Sequence, residues 1–304
     1  MQAIIKHWKS CKELRKTLSS NKKEIDNVKN LYWYDINIQI AASFLGFLKV
    51  FLWRIKKIFD FSKKIAQRPR TDIYEHDEVY QHENPKNYGA ESIYYKPLPK
   101  VHPKYPNPSI WNCKTLKSSA WFENDDWCRL LEKNAEIIKE EFFSSKDQCT
   151  THPGDKLLAE NGKWSSIVLI GTKGINQDVA KYFPKTMAIL EEMPICKTFG
   201  FVAFSKFSPG THIKTHTGAS NLRLRYHLGI DTPEPDFVKI RVGEKTKPWT
   251  QNKCIVFDDS YDHEVFHNGK KDRIVLIVDL WHPELSIDEI SILQTPVFSK
   301  FGKV

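Results

Sequence analysis

The chain has 304 residues, 40% hydrophobic and 27% charged, with nine Trp and 18 Phe. That is enough apolar material for one large core or two modest ones, and it excludes disorder throughout. The net charge of +9 does not indicate a nucleic-acid module: residues 1–70 hold 16 Lys and Arg against 5 Asp and Glu, and the rest holds 30 against 32.

In chain order, the first segment alternates apolar and basic residues from Met1 to Lys16, a pattern in which neither a signal peptide nor a cleavage site of small residues is expected. Ile38 to Trp53 is apolar but shorter than the roughly 20 residues a bilayer span needs, and Arg54, Lys56 and Lys57 follow it. Ile40, Phe44, Phe47, Phe51, Ile55 and Phe59 recur at helical spacing. The expectation is a helix that either lies on an anionic membrane surface or packs on the rest of the chain, with a short tilted span as a third option. Residues 66–110 read as a surface connector in extended chain, because six of the 16 prolines fall between Pro85 and Pro108. A helix is expected over Ser119 to Phe143 and another over Lys185 to Glu192. After residue 160 the pattern becomes β. Strands are expected at 164–170, 198–205, 222–230, 237–242, 253–258 and 273–280, the spacing of a sandwich or barrel. Six scattered Cys without a CxxC pair read as reduced thiols of a cytoplasmic protein, peripheral to or anchored at a membrane if the basic segment binds one.

In the strand 222–230, Arg223, Arg225 and His227 share one face and Leu222, Leu224, Tyr226, Leu228 and Ile230 the other. Two guanidiniums and an imidazole cannot be buried without partners, so that face meets water or an anion. Arg273 opens the apolar strand RIVLIVDL. Arg225, His227 and Arg273, with the Ser205 hydroxyl, can supply the donors a small dicarboxylate needs. His212 and His216 stand in a loop before the cationic strand, and His263 in a loop after an apolar strand, which are positions where rigid strands hold functional residues. A 2-His-1-carboxylate iron site shows His-x-Asp/Glu and a distant His. Here His216-Thr217-Gly218 puts Gly at the carboxylate position.

The segments PGTHIKTHTGASNLRLRYHLGI and IVFDDSYDHEVFHNGKKDRIVLIVDLWHPEL resemble the aspartyl/asparaginyl β-hydroxylase family, over about Trp111 to Leu285. The resemblance implies a mainly β fold: a double-stranded β-helix (jelly-roll, cupin-like) catalytic core with flanking helices, after a helical N-terminal segment. With the basic helical segment (1–70) and the Pro-rich connector (71–110) read above from composition, it leaves an oxygenase domain at 111–304. It implies an Fe(II)/2-oxoglutarate-dependent dioxygenase, with O2 as oxidant, whose iron has two protein ligands, His216 and His263. It carries the 2-oxoglutarate contacts to Trp164, Ser205, Arg225, His227 and Arg273. Asp259 matches an acid that holds an iron-bound water in place of the missing ligand. His212, His267 and His282 are competing histidines. Substrates within the family's range are a peptidyl Asp or Asn, a lipid acyl chain, or a small molecule. Halogenation through the vacant carboxylate position and a non-catalytic cupin-like binding protein are the alternatives.

Overall fold

The computed structural model describes residues 46–67 and 111–295, apart from 114 and 172. Most of the expected connector, and residues 1–45 and 296–304, lie outside these. The chain divides into a unit ending at Asp60 and a unit beginning at Phe61.

Residues 46–64 are helical. Within the first unit, Phe47, Val50, Phe51, Leu52, Trp53, Ile55 and Phe59 are exposed, with Phe47 stacked on Phe51. Lys57 lies 5.4 Å over the Trp53 ring. Among the described residues, no helix is long and apolar enough to cross a membrane.

The first strands of the second unit are a short pair, β1 (Ile65–Gln67) and β2 (Trp111–Cys113). The remaining strands are β3 (Trp121–Phe122), β4 (Thr150–Thr151), β5 (Trp164–Gly171), β6 (Gly174–Ile175), β7 (Val202–Phe207), β8 (His212–His216) and β9 (Arg223–Asp231). They are followed by β10 (Val238–Val242), β11 (Lys245–Pro248), β12 (Cys254–Phe257), β13 (His263–His267) and β14 (Arg273–Trp281). One antiparallel sheet runs β3-β12-β9-β14-β7-β5-β4, with β6 on β5, and a second runs β11-β10-β13-β8. This is a jelly-roll, cupin-like β core with flanking helices.

Strand alternation divides the interior into two cores. Leu224, Tyr226, Leu228 and Ile230 of β9, with Ile274, Leu276, Val278 and Leu280 of β14, pack against Leu131, Ile138 and Phe142 of the helices Asp126–Lys133 and Ala135–Ser144. The opposite faces of the same strands meet the small sheet, where Trp164, Phe207, Ile213, Ile240, Trp249, Phe257, Val265 and Ile277 form the second core. Because β14 is covered on both faces, all nine of its residues are buried and its sequence lacks polar alternation. The expected 119–143 helix is split: β3 occupies its start, Asp125 caps the first helix by accepting from Cys128 N, and the chain turns at Asn134 before the second.

Candidate active site

The face of β9 that carries Arg223, Arg225 and His227 looks into the space between the sheets. All three are buried. The sequence left water or an external anion as the way to satisfy them, and the chain itself supplies two of the anions. Asp279, the single acid in β14, takes Arg225 Nε and Nη2 at 2.8 and 2.9 Å and lies 3.4 Å from Arg223 Nε. Asp259 Oδ2 accepts from Arg223 Nη2 at 2.6 Å and lies 3.0 Å from Arg225 Nη1. Two guanidiniums and two carboxylates thus balance one another. The bidentate partner of Arg225 is Asp279, so its fork is engaged within the chain. Arg225 still lines the cavity described below.

His216 and His263 are not in loops as expected; they end β8 and begin β13, and they face each other directly across that ladder. Their ring centroids are 4.1 Å apart. Between the pairs His263–His216 and Val265–Ile213 the register slips by one residue, a bulge in β8. Simple alternation would give His212 and His216 the same face. The bulge breaks it, so His216 joins Ile213 at the cavity. His212 instead sits between Glu160 and Glu264, 2.7 Å from each.

Each of the paired rings is oriented by the same local device. His216 Nδ1 lies 2.7 Å from the Lys214 carbonyl, and His263 Nδ1 lies 3.0 Å from the Tyr261 carbonyl. A carbonyl only accepts, so both protons are on Nδ1 and both Nε2 atoms carry the lone pair. Burial holds His216 well below the ordinary imidazole range, helped by the neighbouring His263, and pushes His263 down to about 4. Both are therefore neutral at pH 7, the form that binds a metal. Two such imidazoles fit a borderline divalent ion such as ferrous iron. Among the described residues, no group of three His, Cys, Asp or Glu side chains forms a metal cluster.

The position of the missing carboxylate is accounted for by Asp259. A Cβ on Gly218 would fall inside 3.0 Å of the Cγ and both carboxylate oxygens of Asp259. Gly218 N also donates to the Asp259 carbonyl at 2.6 Å. The acid from β12's end therefore fills the space where a side chain at 218 would start. Burial alone would raise Asp259, but the charges of Arg223 and Arg225 hold it well below the usual carboxylate range. Its Oδ1 is buried with no hydrogen-bond partner among the described residues, so a donor is missing there.

Arg273 is the uncompensated cation. It is 2% exposed, its Cζ lies 3.8 Å over Phe207 and 4.4 Å over Trp249, and its Nη1 donates to the Ser205 carbonyl at 3.2 Å. No carboxylate pairs with it among the described residues, its Nε is without a partner, and burial lowers its affinity for protons. A buried unpaired charge is costly, which marks the place for an anion. Beside it, His227 Nδ1 accepts from Trp249 Nε1 at 3.1 Å, while its buried Nε2 has no partner. Trp164 donates to the Ser205 hydroxyl at 3.1 Å and stacks on His152 at 3.6 Å. His216, His263, Arg225, His227, Arg273, Trp164, Ser205 and Trp249 all line one cavity, about 420 Å³ with the open solvent at its mouth counted. Asp259 stands behind it.

The other histidines are elsewhere. His267 Nδ1 accepts from Gly269 N, and His282 packs edge-on to Phe122; neither lines the cavity. Sequence reasoning missed Trp249, Asp279 and His152. Asp279 had a signal: it is the lone acid in an apolar strand and shares the parity of Arg273. Trp249 and His152 come from irregular segments, where no periodicity reports a facing direction.

A family model described as Aspartyl/Asparaginyl beta-hydroxylase matches residues 132–283. The human protein named Aspartyl/asparaginyl beta-hydroxylase is 36% identical over 188 residues, which are 59% of this chain and 24% of that one. Human Aspartate beta-hydroxylase domain-containing protein 2 is 30% identical over 62% of this chain and 54% of its own length. Ornithine lipid ester-linked acyl 2-hydroxylase of Rhizobium tropici is 30% identical over 64% of this chain and 66% of its own length. The chain thus spans between about a quarter and about two thirds of these relatives.

Proposed function

Because this chain belongs to the aspartyl/asparaginyl β-hydroxylase family, we propose that it is an Fe(II)/2-oxoglutarate-dependent dioxygenase that hydroxylates an unactivated C–H bond. The observation that carries the reading is the pairing, in one cavity, of two neutral Nε2-presenting imidazoles with a buried, unpaired Arg273. His216 and His263 would hold the metal. Iron, when bound, supplies oxygen activation coupled to decarboxylation of the 2-oxoacid to succinate.

The chain's own groups bind and orient. Arg273 receives one carboxylate of the cosubstrate, with the Ser205 hydroxyl and the Trp164 indole beside it. His227 offers an Nε2–H donor to the other end. Asp259 Oδ1, without a partner among the described residues, would accept a hydrogen bond from a water beside the metal, with Arg223 and Arg225 keeping the carboxylate ionised. Apolar Ile213, Ile240, Val265 and Ile277 line the same cavity and limit water. The carboxylate packed against Gly218 also favours hydroxylation over halogenation, because a chloride there would face an anion.

The test is succinate release from 2-oxoglutarate with added Fe(II). Wild-type chain should turn over and retain iron, and His216→Ala or His263→Ala should do neither. No release and no retained iron in the wild type would favour the non-catalytic binding protein. Mass spectrometry of treated extracts for products 16 Da heavier would then identify the acceptor.

For the substrate, a peptidyl Asp or Asn is one reading, after the human relative's name. A lipid acyl chain is the second, favoured by the exposed Phe47, Phe51 and Trp53 beside Lys49, Arg54, Lys56 and Lys57. Exposed apolar side chains interleaved with cations suit an anionic membrane surface. Replacing Phe47, Phe51 and Trp53 with Ser should abolish co-sedimentation with anionic vesicles, and undiminished binding would remove the support for a lipid.

A further inference from the structure

Trp249 touches both ends of the anion-binding wall. Its indole is 1% exposed and lies just past β11, outside every strand of the two sheets. Nε1 donates to His227 Nδ1 at 3.1 Å, and the two rings are 16° from parallel with centroids 5.9 Å apart. The Arg273 guanidinium carbon lies 4.4 Å from the centre of the same indole. An indole nitrogen can only donate. His227 Nδ1 must therefore accept, and the imidazole proton must sit on Nε2, the buried atom with no partner among the described residues. His227, Arg273 and Trp249 line one cavity.

Resting on the dioxygenase reading above, we propose that Trp249 is the positioning residue for the 2-oxo-dicarboxylate: it fixes His227 as the Nε2–H donor for one carboxylate and covers the Arg273 cation that binds the other. The two effects are separable by chemistry. Trp249→Phe keeps a six-membered ring to cover Arg273 and removes the N–H with the five-membered ring that carries it, so His227 loses the bond that sets its tautomer and its rotation. Trp249→Leu removes the π face as well, and with it the covering of Arg273.

The experiment is calorimetric titration of 2-oxoglutarate into the full chain loaded with Mn(II), which binds without turnover. Trp249→Phe should weaken cosubstrate binding about tenfold, the effect of one lost hydrogen bond that leaves a buried acceptor unpaired. Manganese affinity should be unchanged. Trp249→Phe in a His227→Ala background should cost almost nothing further, because the indole acts through that imidazole; a merely structural tryptophan would cost the same in both backgrounds. In turnover the Phe variant should raise the KM for 2-oxoglutarate with kcat little altered. Nitrogen NMR of the wild type, which needs no variant to fold, should show His227 protonated on Nε2 and unprotonated on Nδ1. A wild type that binds no 2-oxoglutarate defeats the dioxygenase reading. A wild type that binds it while Trp249→Phe binds equally well, or with His227 protonated on Nδ1, overturns the role of Trp249 alone.

Discussion

Adding one methyl group at Gly218 should do as much damage as a typical core truncation. The new Cβ would fall inside 3.0 Å of three atoms of Asp259, so the carboxylate must move. A carboxylate on a flexible stem could yield cheaply, but this one is pinned. Arg223 holds its Oδ2 at 2.6 Å, Arg225 lies at 3.0 Å, and the backbone bond from Gly218 N to Asp259 O fixes the two segments at 2.6 Å. Overpacking of this kind costs about 1–3 kcal/mol, and breaking a buried ion pair about 3–5 kcal/mol. Gly218→Ala therefore should cost roughly 3 kcal/mol, a fall in Tm of about 6–12 °C for a domain of this size. Differential scanning calorimetry of the metal-free chain reads it directly. The interaction is specific to one side chain, so Asp259→Ala should relieve most of it: the double variant should be less destabilised than the sum of the singles. For the same reason Gly218→Asp alone should fail to bind iron, whereas Gly218→Asp with Asp259→Gly transfers the carboxylate to residue 218 and should retain it. A Gly218→Ala chain with wild-type Tm would show that the acid is not held where these contacts put it.

Arg273→Gln should chiefly raise the 2-oxoglutarate requirement, because it removes a charge-assisted contact of roughly 1.5–3 kcal/mol, about 10- to 150-fold. An unchanged requirement in cosubstrate titrations would mean the anion pocket is misassigned. Acid should destabilise the metal-free protein. His152 and His263 have folded values of about 3 and about 4 against an ordinary 6.5, and burial also holds His216 and His227 down. Their folded values are depressed, so the unfolded chain binds the extra protons. The stability they confer is present above about pH 6.5 and is lost as pH falls toward 4, at about 1.4 kcal/mol per pH unit for each proton. Asp258 opposes one of them: burial pushes it up to about 7, so between 3.8 and 7 the folded state holds a proton the unfolded chain has released. Urea midpoints should therefore fall from pH 6.5 to 4.5, and a flat or rising profile would contradict the buried neutral imidazoles.

The strands of the core were legible because each is bounded by turns and rich in β-branched residues, and the parity of β9 correctly separated Leu224, Tyr226 and Leu228 from Arg223, Arg225 and His227. What parity cannot report is the partner across the sheet. The Arg225–Asp279 pair joins residues on β9 and β14 that lie opposite each other in the ladder, at a separation of 54 along the chain. The bulge in β8 was equally hidden: HIKTH has no Gly or Pro to mark it, yet it decides that His216 and not His212 reaches the cavity. The meeting of residues 216 and 263 followed from a motif resemblance, since nothing in either local pattern gives the register between strands that begin 51 positions apart.

On the proposed reading, the charge of the site favours a dicarboxylate over other anions. At pH 7 the three imidazoles His216, His227 and His263 are neutral. Arg223 and Arg225 are matched by Asp259 and Asp279, so this buried quartet sets an internal wall of zero net charge. Among the described residues Arg273 alone remains, and it lies over Phe207 and Trp249, rings whose faces favour a cation but cannot neutralise it. The positive charge is therefore not spread through the cavity but divided between the imidazole pair, once it holds a divalent ion, and the Arg273 end. A monocarboxylate can satisfy only one of these, whereas a molecule with an anionic group at each end satisfies both. Such an arrangement selects by length and by charge number together, and it needs the Arg/Asp quartet to be complete: neutralising Asp279 would free Arg225 to compete for the same carboxylate and blur the distinction.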